Sequence, residues 1–572
     1  MPSDRRPGLF AALAARLRNG SAAHLARASL VVLGLSGVAR AVGLGKEVLV
    51  AALFGVSGLL DAYVLALLVP SFLANQLGAS FASALVPALA RQDRQGRPSR
   101  PSRPSRQSRQ SRKTQGGLAG QGAGRLLAQG LLAQALVLAV AVLAVALFPA
   151  EALRALAPGA QPERLADIKT LQLALLPLCV LTSLGNTLGA VANYGGEFRG
   201  PALAGVANAV AAVLGIGLLH QSLGVLALAA GVSLGAALEF AALAWLCRKP
   251  LRAAFSALAA GERGPEGGPE GGGISRAQGA QGVLGAREAS GGPDLSDSSD
   301  RAYACARPGA QDDCSARREL WPADTTPHAT PPRAAGRDGA AGAAAAATLP
   351  AHKGAADQGS PLAALLRGWG LLALGASLLG LTPLVDNAIA TTLGEGAVAT
   401  LSYAVKLPLG LAGLLGLTVS TVLLPHFTTL VHTEPEAVRS SCRDIARWLL
   451  LLAGPLALAG ALASPVLVEL LFQRGRFTAQ AAQAVSAAQV WYFIQLPFYL
   501  LCIAATRMLQ ALARLRFLLL LQAGLLLVSA ATSFALSRVL GAPGIAASSA
   551  LMHALFAGAA LWAVRRQCRE AA

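Results

Sequence analysis

The sequence predicts an all-α polytopic membrane protein, from its composition, its low charge and the arrangement of its apolar residues. Hydrophobic residues make up 54% of the 572 residues and charged residues 13%, with a mean hydropathy of +0.53. A soluble domain has about 25% charged residues, so this chain has too little charge to cover a water-facing surface. Its apolar residues also form continuous runs, such as Ala135–Leu147 and Leu449–Leu462, whereas barrel strands alternate.

About twelve apolar stretches are long enough to cross a bilayer as helices, which takes roughly 20 residues. Backbone in lipid must satisfy its own hydrogen bonds, and a helix does so within one segment. Short polar or glycine-rich connections, such as Phe54–Gly58 and Gln473–Thr478, separate most of them. The predicted spans centre near Val42, Leu73, Ala139, Pro177, Val210, Ala230, Leu378, Gly413, Leu456, Phe493, Ala523 and Leu555.

Two connections are long and lack the apolar periodicity of a core, so we predict both to be disordered and cytoplasmic. The first, 91–124, has nine basic residues and one acid and supplies +8 of the formal +19. The second, 248–360, is rich in Gly, Ala, Pro, Ser and Asp. The predicted organisation is a cytoplasmic N-terminal segment (1–27), helices 1–6 (28–247), the insertion (248–360), helices 7–12 (361–566) and a cytoplasmic tail (567–572).

The distribution of basic residues predicts a bacterial inner-membrane protein with both termini in the cytoplasm. Five arginines between Arg5 and Arg27 precede the first span, and an even number of spans places most other basic clusters on the same side. The first apolar run is long enough to cross the bilayer and is not followed by an A-x-A-like cleavage site. No cleavable signal peptide is therefore predicted. The arginine-rich loop 91–124 indicates contact with anionic lipid head groups or anchoring of the topology, rather than nucleic-acid binding.

No catalytic constellation is present, so we predict no enzyme activity, cofactor or metal site. The sequence has no H-E-x-x-H, no P-loop and no C-x-x-C pair among its seven cysteines. Gly231–Gly235 spells a nucleophile-elbow pattern, but it lies in an apolar span with no preceding strand. Because no P-loop is present, an ion gradient or the membrane potential is the expected energy source.

Charged residues inside the predicted spans are the candidate functional residues, because each costs roughly 2.5–3.5 kcal/mol at the bilayer centre. Basic groups on two helices suit an anionic head group such as a diphosphate. The alternative is that Glu47 neutralises a basic neighbour, or that Arg40 extends to the interface. Glu239 and His553 are predicted to be satisfied polar groups of the bundle interior. The candidates are Arg40, Lys46 and Glu47 in the first span, Asp61 in the second, Asp386 and Asn387 in the seventh and Lys406 in the eighth.

Glycine and proline are dense near the same charges. Transporters use broken helices around a polar site near the membrane midplane, so this coincidence favours movement of a large amphiphile or solute. The residues concerned are Gly43, Gly45, Pro70, Pro383, Pro408, Gly410, Gly413 and Gly416.

An ordered set of motifs runs through nearly the whole chain outside the two long connections. The set is Arg40-Ala-Val-Gly-Leu-Gly-Lys-Glu47, Asp61-Ala-Tyr63, Phe81-Ala-Ser-Ala-Leu-Val-Pro87, Phe198-Arg-Gly-Pro201, Leu393-Gly-Glu-Gly-Ala397, Tyr403-Ala-Val-Lys406 and Leu471-Phe-Gln-Arg-Gly-Arg-Phe-Thr478. In this order it resembles the MurJ/MviN lipid II flippases of the multidrug/oligosaccharidyl-lipid/polysaccharide exporter superfamily.

The resemblance implies two six-helix lobes around a central cationic cavity. Such a protein moves lipid II, the undecaprenyl-diphosphate-linked peptidoglycan precursor, from the inner to the outer leaflet by alternating access. The residues matching basic and acidic cavity positions are Arg40, Lys46, Lys406 and Asp61, which are therefore expected to bind substrate. Asp386 and Glu47 are the candidates for ion coupling. Membrane lipids and the envelope-synthesis machinery are the other expected partners.

The chain departs from this family at several positions, which leaves its substrate open. Lysine replaces arginine at positions 46 and 406, which removes bidentate phosphate geometry. Leu73-Ala-Asn-Gln76 lacks a basic residue, Leu409 replaces an acid, and about twelve spans stand where fourteen are usual. The alternatives are another polyprenyl-diphosphate oligosaccharide, a cation-coupled small-molecule exporter, or a scaffold that transports nothing. A cation exporter should carry acid in its cavity, whereas these candidates are mostly basic.

Overall fold

The computed structural model describes residues 20–95, 121–262, 360–433, 437–512 and 514–570. In these ranges the chain forms α-helices and two short 3-10 helices, Ala150–Ala155 and Thr391–Leu393, without a strand. The α-helices are α1 (Gly20–Phe54), α2 (Gly58–Gln95), α3 (Gln121–Leu147), α4 (Pro162–Ala174), α5 (Leu176–Tyr194), α6 (Arg199–Leu223), α7 (Leu226–Leu246), α8 (Arg248–Glu262), α9 (Pro361–Gly380), α10 (Thr382–Ala390), α11 (Ala397–Thr433), α12 (Ala437–Phe472), α13 (Ala479–Ala511), α14 (Leu515–Leu540) and α15 (Ala542–Glu570).

The helices account for the predicted spans. Among the described residues, eleven helical stretches are long and apolar enough to cross a membrane. Two of them are composite, since α4 continues into α5 and α9 into α10. Helix α1 is not among the eleven, and its last 18 residues carry Arg40, Lys46 and Glu47. The all-α polytopic fold class is confirmed, with α1 as the twelfth helix of the predicted set.

Small residues allow the helices of the N-terminal half to pack closely. A Cβ built at Gly215 of α6 would lie 2.9 Å from Cα of Gly231 on α7, and one built at Gly78 of α2 would lie 2.7 Å from Cα of Ser183 on α5. Van der Waals contact between backbones drives helix association in lipid, where the hydrophobic effect offers little. The glycines of the elbow-like pattern at 231–235 therefore serve packing.

The C-terminal half is organised around α13, which packs against α11, α12 and α15. At one end, three buried aromatic rings join α11 and α12 to the loop before α13. The Tyr403 ring centroid lies 5.3 Å from that of Phe472 and 5.4 Å from that of Phe477. These distances are in the range that aromatic pairs prefer. The cluster fixes the start of α11, which carries Lys406.

Two of the spans that the structure describes are broken, one in each half. Leu175 separates α4 from α5, and Leu381 separates α9 from α10. Pro383 lies in the first turn of α10, where its missing N–H costs no hydrogen bond. Pro70 and Pro408 lie inside helices that continue on both sides of them.

The predicted limits of the long connections need correction. Residues 248–262 form α8 rather than the start of a disordered insertion, because an apolar face that includes Ala254 packs against Gly124 of α3. The amphipathic run spans only 15 residues and is easily missed between basic and glycine-rich sequence. Likewise α2 extends to Gln95 and α3 begins at Gln121. The remaining parts of both connections, 96–120 and 263–359, lie outside the described residues.

The predicted terminal segments also change. Helix α1 begins at Gly20, inside the predicted segment 1–27, and α15 extends to Glu570, inside the predicted tail 567–572. Residues 1–19 and 571–572 lie outside the described ranges. Apolar runs locate the lipid-crossing part of a helix, whereas its backbone continues until a capping or breaking residue ends it.

Candidate functional site

Three charged side chains from the two halves of the chain meet between α1 and α11. Oε1 of Glu47 lies 3.0 Å from Nζ of Lys46 on the same helix and 3.2 Å from Nζ of Lys406 on α11. Glu47 is the most enclosed of the three, with 16% of its side chain exposed. One carboxylate oxygen therefore joins two ammonium groups and links the halves. The alternative that Glu47 neutralises a basic neighbour is confirmed, with Lys406 as a second neighbour.

Arg40 lies two helical turns before Glu47 and extends across to α11. A Cβ built at Gly413 would lie 3.0 and 3.1 Å from the two terminal nitrogens of the Arg40 guanidinium. Arg40 is exposed, and among the described residues no hydrogen bond or ion pair engages it. Together with the group around Glu47, it gives three positive charges and one negative charge. The set is therefore +2 overall, and the charge of Arg40 is not neutralised.

These contacts define a strip that we call the seam: Arg40, Lys46 and Glu47 on α1 with Gly413 and Lys406 on α11. Arg40 is opposite Gly413, and Glu47 is opposite Lys406. Both intervals are seven residues and run in opposite directions, so the helices are antiparallel here and the contacts are about 10 Å apart along each axis. The seam brings together three of the four predicted substrate-binding residues.

Asp61 does not join the seam, because it caps the start of α11. Its Oδ2 accepts the backbone N–H of Gly396 at 2.5 Å, and its Oδ1 accepts that of Ala399 at 2.7 Å. A helix N-terminus has unpaired N–H groups and a partial positive charge, and a carboxylate satisfies both. Lys406 lies nine residues beyond the first residue of α11, about 14 Å along the axis. The bonds that Asp61 makes indicate a structural role between the halves.

Further contacts surround this cap, and we call the group the clasp. Arg164 Nη2 lies 3.3 Å from Glu395 Oε1, and the Gly159 N–H donates to Thr391 Oγ1 at 3.1 Å. A pocket of about 180 Å³ lies among these residues and Asp61. The sequence missed the Arg164–Glu395 pair, because its members are 231 residues apart and each reads as an ordinary loop charge.

Two glycine turns complete the clasp. The Arg476 N–H donates to the carbonyl oxygen of Ala52 at 3.0 Å. A Cβ at Gly55 would collide with the Arg476 carbonyl oxygen, and a Cβ at Gly475 would collide with that of Ala52. Both glycines have positive φ, of 61° and 57°, which other residues rarely adopt. The glycine residues of two separate motifs thus allow one backbone-to-backbone contact.

Asp386 forms a separate polar cluster within the C-terminal half. Ser533 Oγ of α14 donates to Asp386 Oδ1 at 2.8 Å, and Ser549 Oγ of α15 donates to Oδ2 at 3.2 Å. The side chain is buried. Asn387 instead donates from Nδ2 to the carbonyl oxygen of Pro383 at 2.7 Å, and its side chain is more exposed than that of Asp386. No group of three His, Cys, Asp or Glu residues that could hold a metal occurs in the described ranges.

Glu239 and His553 have partners, as predicted. Glu239 Oε2 accepts from Asn208 Nδ2 at 2.5 Å, between α6 and α7. His553 Nδ1 lies 2.7 Å from the carbonyl oxygen of Ser549, one turn earlier on α15. Both are polar groups satisfied within the helix bundle. The sequence could not identify Ser533 and Ser549 as partners of Asp386, because isolated serines are common in membrane helices and carry no spacing signal.

A comparison with models of protein families shows to which family the chain belongs. The model of the family described as "Lipid II flippase MurJ" matches residues 50–258 and 349–570, about three quarters of the chain. The chain belongs to the MurJ lipid II flippase family. Asp61, Asp386 and Lys406 lie within the matched ranges, whereas Arg40, Lys46 and Glu47 directly precede them.

Solved structures show the same fold. A lipid II flippase MurJ in an inward-closed conformation matches with a TM-score of 0.60 and 15% identity, over 94% of this chain and 87% of that one. An inward-facing multidrug resistance MATE transporter of the MOP superfamily gives 0.54 and 13%, covering 94% of both chains. A MOP superfamily transporter from Pyrococcus furiosus gives 0.51 and 14%, covering 94% and 95%. No curated protein matches the sequence.

These findings identify a multi-pass membrane protein with the fold of MurJ and MATE transporters. The resemblance read from the ordered motifs is confirmed for the family. At 13–15% identity the solved structures support the fold alone. The roles of individual residues in this MurJ-family chain therefore rest on its own geometry.

The clasp generates a prediction for Asp61. Replacing Asp61 with Ala removes two hydrogen bonds to backbone N–H groups and a charge that complements the α11 dipole. We expect the free energy of unfolding to fall by about 2 kcal/mol. Reversible unfolding of the purified protein in SDS measures it.

Two variants control for this change. Asp61→Asn keeps an oxygen acceptor and should lose less than Asp61→Ala. Asp167→Ala removes an exposed carboxylate that lies 3.5 Å from Arg164 and should change stability by less than about 0.5 kcal/mol. Equal losses in Asp61→Ala and Asp167→Ala would contradict the capping role.

The seam generates a prediction for Glu47. Replacing Glu47 with Gln leaves Lys46 and Lys406 close together without the carboxylate between them. We expect the free energy of unfolding to fall by about 2 kcal/mol, because the two cations repel one another in a partly buried site. Glu395→Gln is the control, since Glu395 is 62% exposed and its ion pair with Arg164 should contribute little. Similar stability of the two variants would show that Glu47 does not hold the seam.

Proposed function

We propose that this chain moves lipid II, an undecaprenyl-diphosphate-linked glycan, from the inner to the outer leaflet of the bacterial cytoplasmic membrane. The observation that carries the proposal is the excess positive charge of the seam, which comes from both halves of a MurJ-family chain. Positive charge inside a helical membrane protein is costly and marks a pathway more often than a packing feature. A diphosphate supplies the multiple negative charges and oxygen acceptors that these cations need.

The three cations of the seam would contact a diphosphate in two different ways. Arg40 offers a planar fork of N–H donors without a competing carboxylate, so it suits bidentate contact with phosphate oxygens. Lys46 and Lys406 act as point charges, and both pair with the carboxylate of Glu47 when no substrate is bound. An arriving diphosphate would draw the lysines away from Glu47. Glu47 is thus a built-in counter-ion, which keeps the lysines ordered and lowers the cost of an empty site.

The placement of the seam and the clasp supports alternating access. Both join the two halves, and the clasp closes the end of the bundle at which α11 begins. We propose that this end faces the outside, because the opposite helix ends carry most basic residues. Substrate enters from the cytoplasmic side, binds at the seam and leaves after the clasp contacts break. The clasp consists of hydrogen bonds and one half-exposed ion pair, which water can replace during opening.

The proposed orientation agrees with the arginine and tryptophan residues at helix ends. The Arg248 guanidinium lies 4.2 Å from the ring centre of Trp245, and that of Arg566 lies 5.7 Å from the ring centre of Trp562. Tryptophan is enriched at membrane interfaces, and basic residues are enriched on the cytoplasmic side. These ends, together with the arginine-rich loop that lies outside the described residues, are the proposed contacts with anionic lipid head groups.

Asp386 is the proposed ion-coupling residue. Its carboxylate and the hydroxyls of Ser533 and Ser549 place several oxygen atoms together inside the C-terminal half, which suits a small cation or a proton. Removing the charge should uncouple transport from the ion gradient without removing substrate binding at the seam.

Transport in proteoliposomes tests this role. We expect Asp386→Asn to flip a fluorescent lipid II analogue at a rate that no longer responds to a sodium or proton gradient. Asp444→Asn removes an exposed carboxylate that lies 3.9 Å from Arg443, and it should keep the response of the unmodified protein. An unchanged gradient response in Asp386→Asn would exclude Asp386 from coupling.

Complementation tests the function itself. The chain is expressed in a bacterium depleted of its own lipid II flippase, beside Arg40→Ala and Arg443→Ala. We expect growth with the unmodified chain and with Arg443→Ala, which removes an exposed arginine of α12. Arg40→Ala should fail, because it removes the cation of the seam that lacks a counter-charge.

The outcomes distinguish two substrates. Growth with Arg40→Ala would show that the seam does not bind the diphosphate. Failure of the unmodified chain despite normal membrane expression would favour transport of another polyprenyl-diphosphate oligosaccharide. The lysines at positions 46 and 406, where the resemblance to the family predicts arginine, are the observation behind that second candidate.

A further inference from the structure

We propose that Gly413 is a positioning residue for Arg40: the absence of a side chain at position 413 lets the Arg40 guanidinium lie across α11 and holds its free positive charge at the seam. The contact itself stands on geometry. Its consequence for substrate binding rests on the proposed function, namely recognition of a diphosphate by the seam.

The closest approach to Gly413 is made by the charged end of Arg40. The three atoms nearest to a Cβ at Gly413 are Nη1 at 3.0 Å, Nη2 at 3.1 Å and Cζ at 3.3 Å. All belong to the planar guanidinium, and the aliphatic stem is not among them. These distances are shorter than ordinary van der Waals contact, so even the methyl group of alanine would displace the guanidinium.

Helix α11 cannot retreat to make room, because its other side is packed. Ala412, the neighbour of Gly413, lies in a buried cluster with Ala457 of α12 and Leu496 of α13. Interiors of this kind are close-packed, so a shift of the helix would create overlap behind it. The exposed end of Arg40 is the part that can move.

The other glycines of this helix segment do not serve the same purpose. A Cβ at Gly410, one turn earlier, would have nothing within 4 Å, and a Cβ at Gly416 would meet Cδ1 of Ile503. The sequence presents Gly410, Gly413 and Gly416 as equivalent members of one glycine-rich run. Only the structure shows that Gly413 alone of the three faces Arg40.

Gly413 matters because no polar contact within the described ranges fixes Arg40. Glu47 is seven residues away and is bound to two lysines. Van der Waals contact with the glycine surface therefore locates the guanidinium on the α11 side. There it can bind one phosphate of a diphosphate while Lys406, about 10 Å away along the helix axis, binds the other. Displacing the guanidinium toward α1 would keep the positive charge in the protein but move it away from Lys406.

The test is a double-mutant cycle with a matched glycine. The variants are Gly413→Ala, Gly410→Ala, Arg40→Ala and the double variant Arg40→Ala/Gly413→Ala, each as the full chain in detergent. Two quantities are measured for each: the midpoint of thermal unfolding without ligand, and the Kd for undecaprenyl diphosphate from quenching of tryptophan fluorescence. Alanine forms helix better than glycine, so Gly410→Ala corrects for that gain.

We expect Gly413→Ala to weaken binding of undecaprenyl diphosphate about tenfold, equivalent to the loss of one charged hydrogen bond. Gly410→Ala should leave the Kd unchanged. In the Arg40→Ala background, Gly413→Ala should have no further effect on the Kd, because the group it displaces is absent. Without ligand, Gly413→Ala should lower the unfolding midpoint relative to Gly410→Ala, and this difference should vanish in the Arg40→Ala background.

Other results would overturn the proposal. Equal effects of Gly413→Ala with and without Arg40 would show that position 413 acts through helix packing alone. An unchanged Kd and an unchanged unfolding midpoint in Gly413→Ala would show that the contact has no consequence.

If the unmodified chain does not bind undecaprenyl diphosphate, the proposed function fails, and the unfolding midpoints still decide whether Gly413 positions Arg40. If Gly413→Ala does not fold, Arg40→Lys/Gly413→Ala should recover folded protein, since lysine lacks the planar group; failure to recover it would contradict the proposal.

Discussion

The carboxylate of Glu47 between two lysines is the interaction on which the arrangement of the two halves depends. Charges within lipid-crossing helices cannot rely on bulk water, so each needs a counter-charge or an aqueous path. Glu47 satisfies Lys46 on its own helix and Lys406 on α11 through one oxygen atom. This pairing fixes which residues of α1 and α11 are opposite one another. The antiparallel register then places Arg40 at Gly413.

The clasp joins the same halves by different chemistry. At the seam, side chains of opposite charge meet. At the clasp, backbone groups carry much of the contact, through Asp61 on the N-terminus of α11 and the bond between Arg476 and Ala52. Backbone contacts of this kind require glycine at Gly55 and Gly475, where no side chain fits. A transporter must separate its halves at one end without unfolding, and discrete hydrogen bonds can break and re-form while each helix keeps its own bonds.

The charge balance of the seam explains why it suits an anion. Lys46 and Lys406 share a counter-ion, whereas Arg40 has no counter-charge and retains its full capacity for bidentate contact. The lysines replace arginines that the resemblance to the family predicts, so the only guanidinium among the seam cations is that of Arg40. Its position consequently matters more here than it would in a site with three arginines.

The sequence by itself determined the all-α membrane class, the approximate spans and the family, because a linear pattern displays apolar length and ordered motifs. It also predicted Arg40, Lys46, Glu47 and Lys406 as candidate functional residues, because charge inside an apolar span is visible in the sequence. Only the tertiary structure decided their partners. The resemblance implies that Asp61 binds substrate, whereas in the structure both of its carboxylate oxygens accept backbone N–H groups at the start of α11, 335 and 338 residues away. Ser533, Ser549 and Gly413 carry no sequence signal that separates them from other serines and glycines. Their roles arise from distances between helices, and the order of residues along the chain does not contain those distances.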